Sequence, residues 1–348
     1  LVVTALVLAL RRRAPGLPAA WLAYGVILVP VLGIFQNGPQ IAADRYTYLA
    51  TLGWAILAGA GLFSCSRLKP FLFTGLAASI ILGLGVLTWN QTQVWRDSET
   101  LWTHAVAVDA NSSTAQNDLG AALADRGSLA EAIERHRRAL EIRPDFADAH
   151  MNWGVARGRQ GKPAEAIEHY REAVRIKPDD ALVHNNWGAA LAMQGSLAEA
   201  IERYRRALDI RPDFAEAHSN WGVALARQGK PAEAIEHYRE AVRIKPDDAH
   251  AHDNWGVALA MQGSLAEAIE RHRRALEIRP DFAEAHSNWG VALARQGRPA
   301  EAIEHYREAV RIKPDAEAHT HWGLALTEQG NMMEALAHFQ QAARLKTQ

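Results

Sequence analysis

A Pro-Asp step recurs at Pro144, Pro178, Pro212, Pro246, Pro280 and Pro314, and every interval is 34 residues. A Trp-Gly pair keeps the same beat at Trp153, Trp187, Trp221, Trp255 and Trp289, then arrives one residue early at Trp322 because a residue is missing after Asp315. A fixed period of this length marks a chain built by stacking copies of one supersecondary unit, none of which can bury its apolar face alone. The last two-thirds of the chain is thereby confined to a linear architecture in which each unit packs on its neighbours.

Within one period the frame reads His286, Trp289-Gly290, Leu293, Gly297, Ala302, Tyr306, Ala309 and Pro314. This frame resembles the tetratricopeptide repeat (TPR), W-x2-L-G-x2-Y followed by A-x3-F and P, with His for the first aromatic, Trp for the Leu and Leu for the Tyr. The resemblance implies a helix-turn-helix unit. Gly290, Ala302 and Ala309 are small enough to let paired helices approach, while Trp289, Leu293, Ile303 and Tyr306 fill the space between them. Gly297 supplies the turn and Pro314 ends the second helix.

Counting back from each Gly places repeat starts near Ser113, Ala147, Ala181, Ala215, Ala249, Ala283 and Ala316. Seven repeats are expected over 113–348, with 95–112 as the second helix of a degenerate eighth. A longer period doubles the first: Ser196 to Asp247 and Ser264 to Asp315 differ only at Tyr204/His272, Asp209/Glu277 and Lys230/Arg298, so the array grew by copying two-repeat units. The expected fold is all-α, with transmembrane helices in 1–94 followed by a TPR α-solenoid, a right-handed superhelix. The second helix of the last repeat is polar (His338, Gln340, Gln341, Arg344, Lys346), which suits a terminal cap; truncation after Gln348 fits equally.

Charge nearly vanishes from the first ninety-odd residues. Leu17 to Phe35, Tyr48 to Cys65 and Phe71 to Trp89 each approach the roughly 20 apolar residues that span a bilayer as a helix, and Leu1 to Leu10 reads as the tail of another. The chain opens on Leu, which suggests a start inside a larger membrane domain. Arg11, Arg12 and Arg13, and then Arg67 with Lys69, place two loops in the cytoplasm by the positive-inside rule. The loop from Gln36 to Thr47 and everything after Trp89 then face outward, so the array is expected outside the cytoplasm of a bacterial inner membrane.

The net charge of -1 and the absence of any block of like charge give no reason to invoke nucleic acid. Cys65 is the single cysteine and belongs to no CxxC motif, so neither redox chemistry nor a cysteine zinc site has support. Ala43-Asp44-Arg45-Tyr46-Thr47-Tyr48-Leu49 before one apolar stretch, then Trp95-Arg96-Asp97-Ser98-Glu99-Thr100-Leu101-Trp102, then repeats, resembles the end of a bacterial GT-C-type membrane glycosyltransferase. The layout is similar to that of the transmembrane TPR-containing protein O-mannosyltransferases. The resemblance implies a polyprenyl-phosphate sugar donor and a catalytic acid in an early external loop, a position not present in this sequence. Asp44 and Arg45 form the charged pair of the expected outer loop. Arg45 suits a bidentate contact to a lipid phosphate with Asp44 orienting it, but the pair reads first as an interfacial anchor beside Tyr46 and Tyr48.

In the first helix of each repeat, positions 2, 6, 9 and 13 share one stripe: Glu216, Asn220, Val223 and Arg227 when Ala215 is position 1. His218, Trp221, Gly222 and Leu225 form the packing side. Position 6 is Asn in five consecutive repeats, at Asn152, Asn186, Asn220, Asn254 and Asn288, with Asp118 and His321 at the ends. A primary amide donates and accepts at once, which matches the backbone of an extended peptide. The run resembles the asparagine ladder in the TPR domain of the nucleocytoplasmic O-GlcNAc transferase; helix packing or solubility is the other reading of the same residues. Position 13 alternates Arg159, Met193, Arg227, Met261 and Arg295. These arginines suit an acidic segment, or else pair with neighbouring carboxylates such as Glu216 or Glu284. Ser219 with Val223, and Asp253 with Val257, depart from TPRs that clamp a terminal carboxylate.

His150, His184, His218, His252, His286 and His319 recur at one helical position, but successive repeats hold them about 10 Å or more apart, too far for one metal ion. They read as packing residues. No Ser-His-Asp order, Gly-rich phosphate loop or HExxH motif stands out, so no catalytic residue, metal or cofactor is expected in the repeats. The sequence leaves two functions: the acceptor-recognition end of a membrane glycosyltransferase, or a membrane-tethered scaffold for envelope or secretion proteins.

Overall fold

The computed structural model describes residues 92–347 together with Ser79 and Trp89. The chain divides into two compact units, Leu1–Arg96 and Asp97–Gln348, and nearly all described residues belong to the second. No helix among the described residues is long and apolar enough to cross a membrane. The apolar stretches expected to span the bilayer, apart from Ser79 and Trp89, lie outside the described residues, as do Asp44, Arg45 and Cys65.

The second unit is all helix and turn. A leading helix α1 (Ser98–Val108) is followed by seven pairs: α2 (Ser113–Asp125) with α3 (Leu129–Ile142), α4 (Ala147–Arg159) with α5 (Pro163–Ile176), α6 (Ala181–Met193) with α7 (Leu197–Ile210) and α8 (Ala215–Arg227) with α9 (Pro231–Ile244). The array continues with α10 (Ala249–Met261) and α11 (Leu265–Ile278), α12 (Ala283–Arg295) and α13 (Pro299–Ile312), and α14 (Ala316–Glu328) and α15 (Met332–Lys346). Each pair turns on a glycine with positive φ, from Gly127 at 93° to Gly330 at 82°, a conformation that costs a residue bearing Cβ but not glycine.

The helix starts carry the two-repeat alternation. Asp180, Asp248 and Asp315 cap α6, α10 and α14, each carboxylate accepting from two backbone N–H groups. At α4, α8 and α12 the cap position holds Phe146, Phe214 or Phe282 without a side-chain cap. Each of these rings is buried, with the guanidinium of Arg143, Arg211 or Arg279 over its face at 3.4–3.5 Å. A cation over an aromatic face and a hydrophobic anchor thus replace the capping bond in alternate repeats. At the head of the array, Asp97 and Thr100 form a reciprocal capping box on α1, and Trp102 and Val106 of that helix pack on Leu119 and Leu123 of α2.

The cores run across repeat boundaries. One cluster joins Ile167 and Tyr170 of α5, Val183, Trp187 and Leu191 of α6, and Tyr204 of α7 to Ala224 of α8. First helices of neighbouring repeats approach one another along the whole array, whereas no two second helices come as close. The array therefore bends with its first helices on the inner side.

Within each pair the helices touch at a glycine. A Cβ built on Gly154, Gly188, Gly222 or Gly290 would lie 2.5–2.6 Å from a ring carbon of Tyr170, Tyr204, Tyr238 or Tyr306. Gly158, also helical, meets nothing within 4 Å. Gly222→Ala should therefore destabilise the array by about 1–3 kcal/mol through overpacking, while Gly158→Ala should stabilise it by about 0.5–1 kcal/mol through helix propensity. Urea unfolding followed by circular dichroism measures both; equal effects would refute the close contact.

Candidate functional site

The inner stripe is not uniform. Asn152 donates through Nδ2 to Asn117 Oδ1 at 3.1 Å, Asn220 to Asn185 Oδ1 at 3.0 Å and Asn288 to Asp253 Oδ2 at 2.9 Å. Each bond spans 35 residues and joins a repeat to the one before it. Arg159, Arg227 and Arg295 do the same from position 13, donating to the carbonyls of Ala124, Ala192 and Ala260 at 3.0, 3.0 and 2.8 Å. Those carbonyls lie in the last turn of the preceding first helix, where a cation also meets the negative end of the helix dipole. The partner of each arginine is thus a backbone carbonyl of the preceding repeat, supplemented at Arg159 by Asp125 at 3.5 Å. Glu216 instead accepts from Asn185 at 3.1 Å, and Glu284 pairs with Lys313 at 3.2 Å.

The intervening repeats differ. Asn186 receives only a long contact, 3.5 Å, from its neighbour Asn185. Met193 and Met261, in the place of the arginines, are 57% and 48% exposed. Asn254 and Asn288 line one hollow with His250, Asp253, Arg279 and Glu284, and Asn288 and Glu284 continue into a second with Lys313 and His321. The structure therefore brings neighbouring stripe residues to one surface while tying alternate ones into the scaffold.

Beneath the stripe lies a buried polar layer. His272 Nδ1 is 2.7 Å from Asp253 Oδ1, both side chains being almost wholly buried, and Asp253 also takes the Asn288 amide. The equivalent pair in the first repeat is His136 with Asn117 at 3.1 Å. Burial pushes His136 down to about 4.

The position-4 histidines pack as expected, but their partners lie 19 residues on. His218 Nε2 donates to the Pro212 carbonyl at 3.3 Å, which leaves Nδ1 to accept from His237 Nδ1 at 3.3 Å. His237 in turn stacks on Trp221, with ring centroids 4.1 Å apart. His150 with His169, His286 with His305, and His319 with His338 repeat the pairing at 2.9–3.3 Å. In alternate repeats an arginine takes the stacking place, Arg203 over Trp187 and Arg271 over Trp255. The signal for these pairs was a histidine recurring in the second helices, at His169, His237, His305 and His338, each 16 residues after a tryptophan. Among the described residues no group of three or more His, Cys, Asp or Glu is placed to hold a metal ion.

Burial first, and the neighbouring imidazole second, hold His169, His237 and His305 down to about 4. The unfolded chain binds protons at these sites near pH 6.5, so stability should be constant above about pH 7 and decline as pH falls toward 4. The onset lies above the range in which the ion-paired carboxylates protonate. Thermal melts between pH 7.5 and 4.5 should show this decline, and replacing the three histidines with Gln should make it shallower, with His136 and the other buried imidazoles supplying the remainder; an unchanged slope would exclude the three as contributors.

A model of the TPR repeat matches residues 120–161, 159–195 and 192–229, and two tetratricopeptide-repeat models match 213–281 and 254–317. Together they span more than half of the chain, which belongs to the tetratricopeptide-repeat family. It is a TPR protein-interaction module. Among curated proteins it is 30% identical over 115 residues to the protein O-mannosyl-transferase Tmtc2 of Drosophila melanogaster and 35% identical over 120 residues to Tmtc1 of the same organism. It is 26% identical over 126 residues to human TMTC3. These matches take in 32–36% of this chain and 12–14% of the relatives' length, and they fall in the repeats. Similarity to a GT-C membrane domain, expected over 1–110, is not among them. Of solved structures, PilF of Pseudomonas aeruginosa matches with a TM-score of 0.53 at 24% identity, over 60% of this chain and 95% of that one. The Cut9-Hcn1 hetero-tetramer structure matches with a TM-score of 0.61 at 17% identity, over 84% and 57%. Both likenesses show the fold alone.

Proposed function

We propose that the inner stripe holds an extended peptide, and that the chain is the acceptor-recognition part of a protein glycosyltransferase that draws on a polyprenyl-phosphate sugar. The observation that carries the peptide reading is the run of amides from Asn152 to Asn288 on the side where first helices of successive repeats meet. Asn186 and Asn254, whose amides are not given to another repeat, offer paired donor and acceptor groups to a backbone without selecting side chains. The glycosyltransferase reading draws support from the likeness of the repeats to protein O-mannosyl-transferases and from the sequence layout ahead of them. On this reading the array stands outside the cytoplasm of a bacterial inner membrane, and Arg45 and Asp44 meet the lipid phosphate. The confinement of the likeness to the repeats favours a second reading, a membrane-tethered TPR scaffold without catalysis.

Asn186 and Asn254 test the groove most cleanly, because Asn152, Asn220 and Asn288 also hold repeats together. In the full chain, Asn186→Ala with Asn254→Ala should lower affinity for unfolded extracytoplasmic peptides about tenfold, the effect of roughly 1.4 kcal/mol of lost hydrogen bonding, with the melting temperature unchanged. Equal binding by variant and wild type would remove the ladder. For the membrane part, Arg45→Gln should weaken lipid-donor binding by the full-length protein; unchanged affinity would leave the scaffold reading.

A further inference from the structure

We infer that the groove reads its ligand in a register of two repeats, with anchor points in the third and fifth repeats that take apolar side chains of an extended segment. The inference rests on the groove reading above and names the ligand it would select. In the second, fourth and sixth repeats the stripe is fastened at two points. The position-6 amides of Asn152, Asn220 and Asn288 and the position-13 guanidinium groups of Arg159, Arg227 and Arg295 all bond to the preceding repeat. A ligand that drew on those groups would compete with bonds that hold the array together.

The third and fifth repeats carry no such fastening from position 13. They present Leu182, Asn186 and Met193, and His250, Asn254 and Met261, with both methionines and Leu182 exposed. Exposed thioethers on a concave surface are adaptable apolar contacts, and here they repeat at 68 residues, the period of the duplicated unit.

Charge along the stripe supports an uncharged ligand. Asp148, Glu216 and Glu284 at position 2 offset Arg159, Arg227 and Arg295 at position 13 within the same repeats. The terminal repeats add Asp118, Asp125, Glu317 and Glu328, all acidic. An acidic or phosphorylated segment would meet this excess at both ends, so the arginines do not make the groove a receptor for anions.

Two repeat steps of about 10 Å each separate the anchors by roughly 20 Å, which an extended chain covers in about six residues at ~3.3 Å apiece. The ligand is thus an extended polypeptide with two apolar side chains about six residues apart and no acidic residue between them. Engaging both anchors at once makes the second contact intramolecular, so affinity depends on spacing as well as on composition.

The test is fluorescence polarisation with the whole 348-residue chain and three labelled Gly-Ser peptides. They carry two leucines six residues apart, two leucines three residues apart, or two aspartates six residues apart. The first should bind about tenfold more tightly than the others. Met193→Ser or Met261→Ser should each erase most of that advantage without altering helicity or melting, since both side chains are exposed. If the double variant binds the first peptide as wild type does, or the aspartate peptide binds most tightly, the two-repeat register is overturned. Loss of binding in the Asn186→Ala, Asn254→Ala variant would then show that the groove reading itself survives. If wild type binds none of the three, both fail.

Discussion

The contact on which the array depends is an aromatic ring laid against a glycine. In each of the seven helix pairs a residue of the second helix, His136, Tyr170, Tyr204, Tyr238, His272, Tyr306 or Phe339, sits where a Cβ on the facing glycine would be. The missing methyl sets the separation of the two helices. That separation fixes where the next first helix stacks, and so whether an amide or guanidinium can reach across 35 residues to the repeat before it. Small residues such as Ala166, Ala200 and Ala234, all wholly buried, keep the approach equally close one turn away. Stability in such an array is shared between each pair and its neighbours, so one displaced ring is felt at two interfaces.

Alternation is superposed on that constant. Changing the ring from Tyr to His places imidazole nitrogens in the core, and burying such a group without a partner is costly. Asn117 stands opposite His136 and Asp253 opposite His272, each at hydrogen-bonding distance. The same choice is made at the tryptophan face, where either an imidazole tied to a second imidazole or an arginine covers the indole. At the tryptophan face and along the stripe the two solutions alternate with a period of 68 residues on a frame of 34, whereas the ring exchange departs from that period, Tyr204 standing midway between His136 and His272.

The helical frame was legible because its determinants are local. Pro314 and its predecessors, Gly297 and its predecessors, and the Trp-Gly pair each act within a turn or two, and the helix starts at Ser113, Ala147, Ala181, Ala215, Ala249, Ala283 and Ala316 follow from them. The chemistry of the stripe was less legible because it is relational. Position 6 alone does not tell Asn220 from Asn186; the difference lies at position 5 of the repeat before, Asn185 for Asn220 but Met151 for Asn186, and it shows only when the two positions are read together across the repeat boundary. The arginines at position 13 looked ready for a ligand or a carboxylate; their main partner is a carbonyl, a group every residue carries and no sequence pattern displays. The histidine pairs escaped for a related reason: comparing like positions in successive repeats overlooks a partner on the other helix of the same repeat.

A repeat fold identifies a surface rather than a ligand, and the distinction between fastened and unfastened positions narrows what that surface can select. Groups already bonded across a repeat boundary contribute to recognition only by giving up a bond that stabilises the array. Groups without that duty keep their full bonding capacity for a partner. In this chain the two sets alternate, so the asparagines form five equivalent positions in sequence but two kinds of position in space. Recognition spread evenly along the groove would tolerate any extended chain, whereas recognition concentrated in every second repeat imposes a spacing. If the groove binds as proposed, the duplication that built the array gives it a selectivity that a single repeat, or a run of identical repeats, would lack.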